Sequence, residues 1–257
     1  MSADITTHGA VAVITMSRPE ALNAFDIEQI QAVIDAFKDV GRRPDIRAVV
    51  LTGEGERAFA AGADIKYMMN LDGDSGLAFG RWGHRLTGAI EQARQPVIAA
   101  VNGFALGGGC EVAIAADIRF ASPNAVFAQP EVSLGIPPGW GGTQRLPRLV
   151  GPGLAAEMIL SGRRVDAEEA LRIGLVNAIF AQEELLPRSI ELASQIAANS
   201  PRAVRAARDL MRLAFNGETT SGLAAEAELF GEAFAGPDPG EGMRAFIEKR
   251  KPVFADS

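Results

Sequence analysis

The stretch Pro96-Val97-Ile98-Ala99-Ala100-Val101-Asn102-Gly103-Phe104-Ala105-Leu106-Gly107-Gly108-Gly109-Cys110-Glu111, continuing Val112-Ala113-Ile114-Ala115-Ala116-Asp117, decides how the chain is to be read. A β-forming apolar run, Val97 to Val101, passes through Asn102-Gly103 into three consecutive glycines and then into an apolar helical pattern. Glycine loses more conformational freedom on folding than any other residue. A triplet at a helix start therefore signals close backbone approach or amides that point at a ligand, such as an oxyanion. Tight packing of helix on sheet is the bland explanation of the same glycines. Glu111 falls in the first turns of that helix, where the helix dipole favours a carboxylate by roughly 0.3–1 kcal/mol. Its apolar neighbours make the helix largely buried, so the acid must face a cavity.

Outward from this stretch, short β-rich runs at Val11 to Met16, Ala48 to Thr52 and Ile118 to Phe120 alternate with helical patterns, which predicts βα units and a mainly parallel sheet. After Gly151 the pattern becomes helix after helix: Leu154 to Ser161, Ala167 to Ile173, Glu183 to Ala198, Pro201 to Phe215, Thr219 to Phe234 and Gly240 to Lys251. Pro201 suits a first helical turn, while Gly217 and the Gly236-Pro237-Asp238-Pro239-Gly240 run separate the last helices. The expected division is an α/β core over residues 1–200 and a helical appendage over 201–257. In that appendage Leu223, Ala227, Phe230 and Phe234 form an apolar stripe, predicted to dock on the core or on another subunit.

Composition narrows the function. Of 257 residues, 47% are hydrophobic and 22% charged, which is ordinary for a globular protein. A net charge of -7 argues against nucleic-acid or anionic-membrane binding, which needs a basic face. Cys110 is the sole cysteine, so no internal disulfide forms and a reducing, cytoplasmic setting is expected. Met1 to His8 has neither the basic start nor the apolar run of a secretory leader, and no stretch approaches a membrane span. The only histidines, His8 and His84, leave no histidine-rich metal site and poor support for a Ser-His-Asp triad. No metal is expected. Cys110, between glycine and glutamate, reads as a buried small residue rather than a nucleophile.

A second acid, Glu131, lies in Ala128-Gln129-Pro130-Glu131 ahead of the turn-rich stretch from Leu134 to Gln144. Alone it would be a solvated loop acid. Paired with Glu111 around one water it would supply a base and an acid, because mutual repulsion in a dry site pushes two carboxyl pKa values apart. Gly53-Glu54-Gly55-Glu56-Arg57-Ala58 matches a loose dinucleotide-binding pattern after a strand, but two glutamates in a pyrophosphate cradle argue against it. A charged surface turn suffices.

Together FAAGADIK (59–66), AAVNGFALGGGCE (99–111), AQPEVSLGIPPGWGGTQRL (128–146) and EGMRAFIEKRKPVF (241–254) resemble the enoyl-CoA hydratase branch of the crotonase family over almost the whole chain. The resemblance implies a crotonase-like fold of repeated ββα units with a C-terminal helical trimerisation region, assembled as a trimer or dimer of trimers. It implies hydration of an α,β-unsaturated acyl-CoA to 3-hydroxyacyl-CoA with no cofactor, CoA being part of the substrate. By motif position, Ala63 and Gly108 correspond to the two amide donors that hold the thioester oxygen. Glu111 corresponds to the acid that activates water and Glu131 to the one that protonates Cα. Gly139 lines the water site, and Ala61, Asp64, Ile65 and Trp140 border the substrate. Lys66, with Phe246 and Lys249 of the C-terminal helix, forms the CoA-binding set, the last two coming from a neighbouring subunit.

Three positions depart from the pattern. Glu20 stands where many relatives carry a lysine near CoA phosphate, with Arg18 as partial compensation. Trp140 replaces a frequent alanine and Tyr67 a frequent glutamate, which predicts a reshaped acyl pocket of restricted length. The nearest rival function is a Δ3,Δ2-enoyl-CoA isomerase, which can work with one acid; thioester hydrolases and decarboxylases share the fold. A non-enzymatic RNA-binding member is disfavoured by the negative charge.

Overall fold

The computed structural model describes residues 2–216 and 218–255; Gly217, read above as punctuation, lies outside them. The described residues form ten strands: β1 (Ser2–His8), β2 (Val11–Ser17), β3 (Ala48–Gly53), β4 (Ala58–Ala60), β5 (Val97–Val101), β6 (Phe104–Leu106), β7 (Ile118–Ala121), β8 (Val126–Ala128), β9 (Val165–Asp166) and β10 (Ala178–Ile179). They form a six-stranded sheet ordered β1-β2-β3-β5-β7-β10 and a four-stranded sheet ordered β4-β6-β8-β9. Apart from the antiparallel β1–β2 and β8–β9 pairs, the ladders are parallel.

The ββα repeat is visible in this partition. In each of the pairs β3/β4, β5/β6 and β7/β8, the first strand joins the large sheet and the second the small one. β3 and β5 are buried along their whole length, as parallel strands covered on both faces must be. One face, with Val49, Leu51, Val97 and Ala99, packs on the main core; the other, with Val50, Ile98 and Ala100, packs on Leu185, Ala193 and Ala197 of the Gln182–Ala197 helix. Asn102 ties the two layers together: its Nδ2 donates to the carbonyls of Gly53 (2.8 Å) and Gly55 (2.6 Å), and its Oδ1 accepts from the Gly53 amide (3.2 Å). Between buried Gly53 and Ala58, residues 54–57 form the exposed turn expected there, with Gly55 at φ +80°.

Several expectations needed correction. β1 was not anticipated; only Ala3 and Ile5 pack on the core, while polar residues fill the other positions of this edge strand. The Gly142–Val150 segment, whose start was read as loop, is a helix beginning just after Gly141 at φ +109°. The last helix runs Asp238–Ile247 and stops short of Lys251. Lys249 adopts φ +55°, the Arg250 amide reaches back to the Ala245 carbonyl (3.0 Å), and the Arg250 guanidinium pairs with Glu241 (2.6 Å). That is a Schellman-type stop with lysine in the left-handed position. Lys249 is therefore beyond the helix rather than on it.

The Pro201–Asn216 helix is pinned to the core by Arg208, only 3% exposed. Its Nε donates to both Asp117 carboxylate oxygens (2.7 and 2.8 Å), and its terminal nitrogens reach the carbonyls of Ala93, Ile90 and Glu91. The Thr219–Ala233 helix buries no residue in this chain. Leu223, Phe230 and Phe234 of the apolar stripe are 59%, 69% and 53% exposed, so the stripe does not dock on its own core. Among the described residues no helix is long and apolar enough to cross a membrane.

Candidate active site

The small sheet builds the site. β4, β6 and β8 are adjacent and parallel, so their carboxyl ends emerge side by side, the rim where α/β proteins collect their ligand-binding residues. Ala61, Gly62 and Ala63 follow β4, Gly107 and Gly108 follow β6, and Gln129, Pro130 and Glu131 follow β8. Three successive repeats thus deliver one component each to a cavity of about 580 Å³.

Backbone geometry explains the glycines. Gly107, at φ +50°, leads into the Gly108–Ile114 helix, and a Cβ there would stand 2.9 Å from Glu131 Oε1. A Cβ on Gly108 would meet the Trp140 ring at 2.5 Å, and one on Gly109 would collide with the Ala60 carbonyl. Gly62, at φ +97°, brings its chain so close to the neighbouring repeat that a Cβ would stand 2.8 Å from the Leu106 carbonyl oxygen, with the Gly108 amide nitrogen next at 3.7 Å. The bland and the functional readings of the triplet are therefore both right: the glycines allow close packing, and that packing delivers the amide of Gly108 beside the segment that bears Ala63. The latter segment is fixed by the Phe25–Ala63 bridge, in which the Phe25 amide donates to Gly62 and the Asp64 amide donates to Phe25.

Glu111 is 1% exposed, and its Oε1 accepts from the backbone amides of Trp140 (2.8 Å) and Gly142 (2.7 Å). Burial pushes its pKa up, while the two amides oppose that rise by stabilising the carboxylate. Glu131, 9% exposed, is pushed up to about 7 by burial and then by the charge of Glu111. Of the two, Glu111 has the better provision for negative charge and Glu131 the stronger tendency to keep a proton. Buried Gln129 faces the Glu131 carboxylate; with its amide nitrogen turned to that side it donates at 3.1 and 3.2 Å to the two oxygens. Behind it Cys110 is fully buried, its thiol pushed up to about 12 by burial and by Glu131 and Glu111, which makes it a poor nucleophile.

Of the expected site residues, Ala61, Ala63, Ile65, Gly108, Glu111, Glu131, Gly139 and Trp140 border the cavity. Asp64 does not. It caps the Ile65–Met68 helix by accepting from the Lys66 and Tyr67 amides, and it pairs with Arg18 at 2.8 Å. Arg18 also pairs with Asp26 (3.3 Å) and, at the longest of its three contacts, with Glu20 (3.9 Å), so it offsets Glu20 only weakly while Asp64 and Asp26 take up most of its charge. Lys66 is exposed and outside the lining, and Phe246, 85% exposed, and Lys249 are likewise not brought to this cavity by their own chain. Tyr67 is also off the wall, tilted against Phe79 at 5.1 Å, and Phe79 does line it. Trp140 is 4% exposed, held edge-on by Phe25 and Phe79 at 5.6 and 5.4 Å. Sequence reasoning missed Gln129, Phe79 and the apolar wall of Met68, Met69 and Leu71; the sign available was an apolar cluster in a segment too polar overall to be core.

Comparison with known proteins agrees with this architecture. The model of the enoyl-CoA hydratase/isomerase family matches residues 6–257. A short-chain-enoyl-CoA hydratase of Clostridium acetobutylicum is 46% identical over 243 residues, covering 95% of this chain and 93% of its own. A crotonyl-CoA hydratase of Syntrophomonas wolfei is 45% identical over 244 residues, covering 95% and 94%. The crystal structure of an enoyl-CoA hydratase from Bacillus anthracis is similar with a TM-score of 0.97 at 35% identity, covering 100% of both chains. The fold is that of the crotonases. The chain belongs to the enoyl-CoA hydratase/isomerase family.

Proposed function

We propose that this enzyme adds water across the α,β double bond of a short enoyl-CoA, with Glu111 and Glu131 as its acid/base pair. The observation that carries the assignment is the pair itself: two buried carboxyl groups from successive repeats face one cavity, one held by two amides and the other with a pKa near 7. Glu111, as carboxylate, takes a proton from the water that attacks Cβ. The electron pair of the double bond moves onto the thioester, whose oxygen receives hydrogen bonds from the amides of Ala63 and Gly108. Preorganised donors of this kind are worth roughly 3–4 kcal/mol each to the transition state. Glu131 gives its proton to Cα, and exchange with water returns the proton from Glu111 to Glu131 before the next turnover. No external cofactor enters the balance.

The short acyl preference rests on Trp140, which closes one wall where a small residue would leave space. Residues 1–200 form the catalytic core and 201–257 an assembly region; the uncovered Leu223, Phe230 and Phe234 suit burial between copies in a trimer or dimer of trimers. In that assembly Phe246 and Lys249 of one copy, with Lys66 of the next, meet the adenine and phosphates of CoA. The single buried cysteine suits a reducing cytoplasm.

The test follows loss of the conjugated-thioester absorbance with crotonyl-CoA and longer enoyl-CoAs. Wild type hydrates them, and Glu111→Gln and Glu131→Gln, still folded, each lose about 10²–10⁴-fold in kcat. An inactive wild type, or full activity in either variant, overturns the assignment; conversion of a 3-enoyl-CoA without hydration would indicate the isomerase.

A further inference from the structure

We propose that Gln129 is the positioning residue for Glu131: its amide donates to the carboxylate and, turned over, accepts from the carboxylic acid, holding Glu131 in one orientation through the proton cycle. The inference rests on the hydratase reading above and adds to it a group that touches no substrate.

Four observations support it. Gln129 is 0% exposed and follows β8 directly, so its backbone is set by the sheet and its side chain cannot relax into water. With Nε2 toward Glu131, that nitrogen stands 3.1 and 3.2 Å from the two carboxylate oxygens; with Oε1 there, the same site presents an acceptor to a protonated acid. The far end of the amide meets the Cys110 thiol. Sulfur is both a weak donor and a weak acceptor, so neither orientation leaves that end facing a group of the wrong kind. Gly142 completes the packing: a Cβ there would stand 2.9–3.0 Å from all three heavy atoms of the Gln129 amide group, and the Gly142 amide is one of the two that hold Glu111. Gln129 therefore lies between the supports of both acids. A carboxamide offers a strong donor at one end and a strong acceptor at the other, so a half-turn of Gln129 exchanges the two without moving its backbone.

Replacing Gln129 by leucine, of similar bulk, removes the donor and the acceptor together. Both bonds are lost, but the one to the carboxylate is charge-assisted and the stronger, so the net effect raises the pKa of Glu131. Hydration requires Glu131 protonated, so the alkaline limb of the kcat/KM profile moves to higher pH, by about one unit or more. At the same time kcat falls about tenfold or more because the proton donor is no longer aimed, and KM stays close to wild type. In a Glu131→Gln background the group being positioned is gone, so Gln129→Leu has little further effect on kcat. The four proteins are measured with crotonyl-CoA between pH 5 and 9, with thermal unfolding as the control for folding. Gln129→Met, unbranched and of similar length, replaces the leucine variant if that one does not fold. An unmoved alkaline limb, or an equal further loss in the Glu131→Gln background, overturns the positioning role and leaves the hydratase assignment intact. A wild type without hydratase activity overturns the assignment itself.

Discussion

Gly83→Ala is the substitution for which local and tertiary rules disagree most sharply. Gly83 lies inside the Gly73–Glu91 helix, where alanine in place of glycine ordinarily stabilises by about 1 kcal/mol. Here Gly83 is buried, and a Cβ would overlap Cγ, Cδ1 and Nε1 of Trp140. The indole has little freedom to retreat: its six-membered ring already lies against Gly108, and Phe25 and Phe79 hold its faces and edge. Overpacking of this kind costs about 1–3 kcal/mol, which exceeds the helix gain. The net expectation is destabilisation of about 1–2 kcal/mol. The remaining way out for the ring is toward the substrate cavity, which drags the residue 140 amide off Glu111 and lowers kcat by about 10- to 100-fold. The decisive comparison is the same substitution in a Trp140→Ala background, where the clash is absent and the helix gain of about 1 kcal/mol should emerge. Urea unfolding of the four proteins at one protein concentration, with crotonyl-CoA hydration alongside, reads both effects. The same sign for Gly83→Ala in both backgrounds would refute the reasoning.

Trp140→Ala by itself should raise the ratio of kcat/KM for an eight-carbon over a four-carbon enoyl-CoA by about tenfold or more, since each accommodated methylene is worth about 1 kcal/mol or more in a closed apolar pocket; an unchanged ratio removes Trp140 from the acyl specificity. Glu131→Gln should stabilise the fold at pH 8. A native pKa of about 7, raised by burial, means the folded state holds its proton more tightly than the unfolded chain, so the wild type loses stability as pH rises through the window from about 4.5 to 7. The gain at pH 8 is up to about 3 kcal/mol and vanishes near pH 4, and a pH-independent difference in unfolding free energy would contradict it. Arg208→Met should cost about 3 kcal/mol, because it strips three carbonyls of their donor and leaves Asp117 with only the Val97 amide and Arg212 at 3.8 Å. Limited proteolysis should then cut within the Pro201–Asn216 helix before the core, and unchanged resistance would mean that other contacts hold this helix.

What the sequence made legible were features that announce themselves locally. Val97 to Val101 is an uninterrupted buried strand, the glycine triplet opens a helix, and Glu111 sits among apolar neighbours; each is a statement about a few consecutive residues. The small sheet escaped detection because β4, β6 and β8 have three residues each, too few for alternation to register. Yet that sheet brings Ala63, Gly108 and Glu131 together, so the convergence of motifs was available only through the family resemblance. Asp64 was placed at the substrate because a helix cap looks, in sequence, like any charged residue near a site. Gly83 was invisible for the same reason: a glycine within a helical pattern says nothing of which ring, more than fifty positions away, needs its missing Cβ.

The carboxylate of Glu111 is held by main-chain amides, and one of them belongs to Trp140, whose side chain walls the cavity. Every amino acid except proline supplies that N–H. Under the proposed assignment, position 140 can therefore change from indole to methyl without withdrawing its amide from Glu111, so acyl breadth can vary in descent while that hydrogen bond stays. A family built this way can diversify its diet one wall residue at a time.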